Sequence, residues 1–137
     1  MPTLTIKELE TIEEAVPLEL TLDDQALMLI IDTRRFLEAN PKKWCRRTTY
    51  NRYTGNMCAL GTMAWKAGWT PEHNLGASFA IRQTGPVAKR ARYVLDKAGY
   101  GNYGLGVTSI NDDYGRKEII RHFKHVEDHW DEYTAKH

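Results

Sequence analysis

Apolar positions in this chain recur mostly every three or four residues, the period of an α-helix with one buried face. The clearest run is Leu22, Ala26, Leu29, Ile30, Thr33, Phe36 and Leu37. Thr21-Leu22-Asp23-Asp24 opens it like a capping box: the hydroxyl accepts from an orphan backbone N–H, and acids in the first turn suit the helix dipole. Asn40-Pro41 ends it. Leu60, Met63, Ala64 and Ala67 predict a short buried helix over 58–67, with Gly68 as its stop. Thr70-Pro71-Glu72 starts another, bent near Gly76 and reaching about Gln83. Gly85-Pro86 restarts the chain for a helix with Val87, Ala91, Val94, Leu95 and Ala98 on one face, closed by Gly99. Ile119, Ile120, Phe123, Val126, Trp130 and Tyr133 form the buried stripe of a last helix, entered through Asn111-Asp112-Asp113.

The intervening stretches have other patterns. Residues 42–57 mix strand-prone Trp44, Thr48, Thr49, Tyr50 and Tyr53 with turn-prone Asn51 and Thr54-Gly55-Asn56, which predicts an irregular hairpin or long loop. Residues 99–106 read as a glycine-tyrosine loop and 107–110 as briefly extended. Ile6, Leu9 and Ile12 permit a short helix over 5–15, ended by Pro17, or a loosely held arm. The expected fold is mostly α: a compact four- to five-helix single domain over 21–137 with at most a small β-hairpin. An acidic arm or short helix over 1–20 precedes it.

A length of 137 residues supports one core without covalent staples. No apolar run is long enough to span a bilayer, and the first residues carry no secretory pattern. The two cysteines, Cys45 and Cys58, are too few for a disulfide scaffold, so reduced thiols in a cytoplasm are expected.

Charge alters the picture more. The net charge is only +1, yet residues 1–24 hold seven acids and one base, whereas residues 34–97 hold thirteen bases and three acids. Such asymmetry points to a polyanionic partner, or to an acidic arm lying across its own basic face. Within the basic segment, Lys42, Lys43, Arg46, Arg47 and Arg52 interleave with Trp44, Tyr50 and Tyr53. Cations hold phosphates and aromatic faces stack on unpaired bases, so this is a candidate nucleic-acid or acidic-protein surface. Lys89, Arg90 and Arg92 extend it on paper. Trp44 is assigned to the core.

Other motifs fare less well. Gly99-Tyr100-Gly101-Asn102-Tyr103-Gly104 spells G-x-G-x-x-G, but a helix rather than a strand precedes it, which excludes the dinucleotide-binding reading. Cys58 near a helix N-terminus is a candidate nucleophile, with His73 or His122 as base and Asn111 or Asp112 as orienter. A buried structural cysteine is the plainer account. His122, His125 and His129 share one helix without a completing ligand, so a solvated histidine face is expected and no metal or other cofactor is assigned. Asn111-Asp112-Asp113 reads most simply as a cap.

Trp44-Cys45, Gly55, Cys58-Ala59-Leu60-Gly61-Thr62-Met63, Ile110-Asn111-Asp112 and Glu118-Ile119-Ile120 together resemble a family of small bacterial and phage proteins of unknown function, which show W-C, C-A-L-G and N-D motifs in this order. The likeness spans roughly residues 22–130. It implies a helical fold and a bacterial or phage origin, and it carries over no catalytic residue. Arg46-Arg47 stands where small residues are usual, and Ile110 where an aromatic is common. Gly61 is expected to admit a second backbone, and Asn111-Asp112 to brace either the last helix or the Cys58 turn.

The leading expectation is a non-enzymatic binding protein acting through its basic middle. A Cys58-dependent hydrolase or transferase and a small self-associating helical protein are the alternatives.

Overall fold

The computed structural model describes residues 20–71 and 77–135. Helix α1, Leu22–Ala39, starts as its sequence requires: Thr21 Oγ1 accepts from the Asp24 N–H at 3.0 Å, and Asp24 accepts from the Thr21 N–H at 3.3 Å. A 3-10 turn, Pro41–Lys43, follows. Helix α2 is Ala59–Lys66, α3 Ala77–Gln83, α4 Pro86–Tyr103, α5 Val107–Tyr114, α6 Arg116–Asp128 and α7 Trp130–Thr134. No described helix is long and apolar enough to cross a membrane.

α1 and α4 are the longest helices and pack together, with α6 against both and α2 against α1. The apolar stripes meet in one core, in which Ile30, Leu37, Leu60, Met63, Leu95, Ile110, Ile119 and Phe123 are fully enclosed. Each such side chain contributes on the order of 1.5–3 kcal/mol through burial. Arg34 on α1 reaches Glu127 on α6 through a two-pronged guanidinium–carboxylate contact, its Nη2–Oε1 arm 2.9 Å long. Both side chains are largely enclosed, so the pair fixes how the two helices meet.

The fold is the helical domain that the spacing predicts, divided more finely. α4 does not end at Gly99. It runs on to Tyr103, and Gly104, at φ +71° in the left-handed region, is its C-cap. The glycine-tyrosine string is therefore mostly helix, with its last glycine in the role that only glycine fills without strain. Residues 107–110 are helical rather than extended, because Val107 and Ile110 are the core-facing positions of α5. Asn111, Asp112 and Asp113 lie within α5 and do not cap the last helix, which begins only after Gly115. That last stripe breaks at His129 into α6 and α7.

Residues 44–58 form no regular hairpin. Met57 sits between the two arms of the loop, with isolated bridges to Trp44 on one side and Tyr50 on the other. Its N–H donates to the Lys43 carbonyl and its carbonyl accepts from the Cys45 N–H. The possible helix over 5–15, His73 and the acidic arm with Glu8, Glu10, Glu13 and Glu14 lie outside the described residues.

Candidate functional site

Loop 41–57 owes its shape to two adjacent residues of α5. Asn111 is buried, and its carboxamide meets four partners. Oδ1 accepts from the Trp44 indole N–H at 2.7 Å and from the Ala59 backbone N–H at 3.0 Å. Nδ2 donates to the Asp112 carboxylate at 3.0 Å and, more distantly, to the Cys45 carbonyl at 3.4 Å. Ala59 is the first residue of α2, so Asn111 satisfies one of that helix's orphan donors. Asp112 Oδ1 also accepts from the Arg47 N–H at 2.7 Å. Arg47 has φ +66°, a conformation that costs a non-glycine residue roughly 1 kcal/mol or more, and the Asp112 bond helps hold it there.

The W-C, C-A-L-G and N-D segments thus meet at one point. Gly61 completes the junction, since a Cβ there would stand 2.3 Å from the Thr49 carbonyl oxygen. Trp44 is half-buried. Its ring packs on the core and carries the Arg46 guanidinium 5.3 Å from its centroid.

This arrangement bears directly on the nucleophile reading. Cys58 is buried, caps α2 and accepts from the Gly61 N–H at 3.3 Å. Burial raises its thiol above the ordinary range, the direction opposite to activation. Cys45 is pushed up to about 11, again mainly by burial, with Cys58 and Asp112 adding to the shift. His122 is buried against α4, its Nε2–H donating to the Leu95 carbonyl at 2.9 Å, and no hydrogen bond joins it to Cys58. Asn111 has no donor or acceptor left with which to orient an imidazole.

The helix expected to show a solvated histidine face does not do so at His122, which burial holds neutral and below its ordinary pKa. His125 and His129 are half-buried, their rings 4.4 Å apart. Among the described residues no group of three or more His, Cys, Asp or Glu is placed to hold a metal ion.

The basic residues divide into two sets. Lys42, Lys43, Arg46, Arg47 and Arg52 are exposed on the loop beyond the C-terminal end of α1, and none forms an ion pair with a described residue. Tyr50 is half-buried against the core, while Tyr53 is 85% exposed beside the Arg52 guanidinium. Arg90 instead pairs with Asp23 at 2.7 Å, beside the first turn of α1, and Arg92 pairs with Asp96 at 3.4 Å. Lys89 is exposed next to them. α1 runs about 25 Å from the Asp23 turn, where Arg90 docks, to the start of the loop. They do not make one patch.

Sequence reasoning missed the Trp44–Asn111 bond and the left-handed Arg47, for which residue type gives no signal. Asn51, expected at a turn, makes one: its side chain accepts from the Tyr53 and Thr54 N–H groups at 3.0 and 3.2 Å. No family model, curated protein or solved structure matches the chain.

Proposed function

We propose that this is a non-enzymatic binding protein whose loop 41–57 grips a polyanion, with nucleic-acid phosphates as the ligand. One observation carries the reading. Five exposed cations, Lys42, Lys43, Arg46, Arg47 and Arg52, lie within eleven residues of a loop clamped at both arms, and no described carboxylate neutralises them by an ion pair. Elsewhere Arg34, Arg90, Arg92, Arg121 and Lys124 are each matched to an acid. A clamped loop loses little freedom on binding, so more of the electrostatic gain survives as affinity.

The test is fluorescence anisotropy of a labelled oligonucleotide across a salt series. If all five cations meet phosphates, the logarithm of the association constant falls against log salt with a slope of about −4. Neutralising Arg46 and Arg47 to glutamine shallows that slope by about 2, whereas neutralising Lys89 leaves it unchanged. Absence of salt-dependent binding at low ionic strength removes the nucleic-acid reading.

A further inference from the structure

The tip of the same loop carries an aromatic ring that the fold does not use. Tyr53 is 85% exposed, and its only described side-chain partner is Arg52, whose Nη2 donates to the phenol oxygen at 3.3 Å with the guanidinium 5.2 Å from the ring centroid. An aromatic ring left in water forgoes the burial that normally accounts for its presence.

The backbone beneath it is nonetheless fixed. Asn51 Oδ1 holds the Tyr53 and Thr54 N–H groups. The Asn51 N–H donates to the Asn56 carbonyl, and the Asn51 carbonyl accepts from the Gly55 N–H, each at 2.7 Å. Thr54 Oγ1 accepts from the Asn56 N–H at 3.2 Å. Five hydrogen bonds within six residues therefore hold the backbone that carries Tyr53. Beside it lies a shallow, open hollow lined by Thr48, Tyr50, Asn51, Arg52 and Tyr53.

We infer that Tyr53 is a stacking platform for an unpaired nucleobase, so that the loop takes single-stranded nucleic acid in preference to duplex. The inference rests on the polyanion reading and adds to it the class of ligand. Phosphates alone engage the cations but give the ring nothing to pack on. A duplex keeps its base faces inside the stack. A single strand offers both a charged backbone to Lys42, Lys43, Arg46 and Arg47 and a flat π-face to Tyr53, with Arg52 flanking the stack. An acidic peptide satisfies the cations without supplying that face.

The experiment compares oligothymidylate, an abasic strand of equal length, a duplex and polyglutamate as ligands for the full chain and its Tyr53→Ala and Tyr53→Trp variants. The expected result is about tenfold weaker binding of the abasic strand than of oligothymidylate by the unmodified protein. Tyr53→Ala loses a similar factor on oligothymidylate and none on the abasic strand, and Tyr53→Trp restores it. The salt slope stays the same throughout, because no phosphate contact is removed. Equal binding of oligothymidylate and the abasic strand overturns the inference while leaving the polyanion reading intact. So does an equal loss on both strands in Tyr53→Ala, or tighter binding of polyglutamate than of oligothymidylate. Absence of binding to every ligand at low salt overturns both. Unchanged thermal unfolding of the variants, expected for so exposed a side chain, ties any loss to the ring.

Discussion

The Asn111 carboxamide can donate twice and accept twice, and it does all four while buried. Its oxygen faces two N–H donors and its nitrogen two oxygen acceptors, so the amide fits in one orientation only. Removing it strands the Trp44 indole N–H and the Ala59 N–H together. Asn111→Ala is therefore expected to destabilise the protein by about 2–4 kcal/mol, read from the urea midpoint at constant m-value. A loss within experimental error would show that the loop is held by other means. The residue types at this junction were legible in the sequence as a set that belongs together. Two roles were legible as well: Gly61 admits the Thr49 backbone, and Asn111 braces the Cys58 turn rather than the start of the last helix; the bond to Trp44 was not. An asparagine before two aspartates has the look of a cap, and only the burial of Ile110 and Val107 turns 107–114 into a helix that aims Asn111 inward.

At the scale of elements, helical period was enough to find α1, α2, α4 and α6, whose apolar faces are each read by one side of the core. It failed where a stripe continues through a break. Val126, Trp130 and Tyr133 keep near-helical spacing across His129, so α6 and α7 look like one helix. It failed again at α5, where only Val107, Ile110 and Asn111 face inward and one of those three is polar, so no apolar period shows. α6 also yields a pH dependence. Its His122 is held neutral, mainly by burial and in part by nearby His125, while the Leu95 carbonyl and Asp96 act in the opposite sense. The folded pKa lies below the unfolded value of about 6.5, so the unfolded chain takes up the proton first. Stability should be complete above that value and decline as pH falls through it. His122→Gln should flatten the dependence of the urea midpoint between neutral and mildly acidic pH. An equally steep decline in that variant would show that His122 is not its source.

At the scale of the whole molecule, the uneven charge was legible from the sequence, but its division was not. Sequence places Lys89, Arg90 and Arg92 in the same basic stretch as 42–53. Packing of α4 along α1 instead sets Arg90 against Asp23, at the far end from the loop. A linear charge count has no term for helix direction, so the single basic face it implies becomes two separate sets; both arginines of the second are paired with acids, whereas no cation of the loop set is, among the described residues.

The Asn111 brace also has a kinetic side. Three of its four partners lie 52 to 67 residues earlier in the chain. Contacts of that separation carry a large loop-closure entropy and form after local helices have nucleated. The basic loop should therefore be among the last parts of the molecule to take its final shape, with low φ-values at Trp44 and Asn111. In native-state hydrogen exchange, the Trp44 indole and the Ala59 amide should open together, at a lower free energy than the amides of α1 and α4. The final shape of the loop would then be a late arrival in folding, present only once α5 has docked.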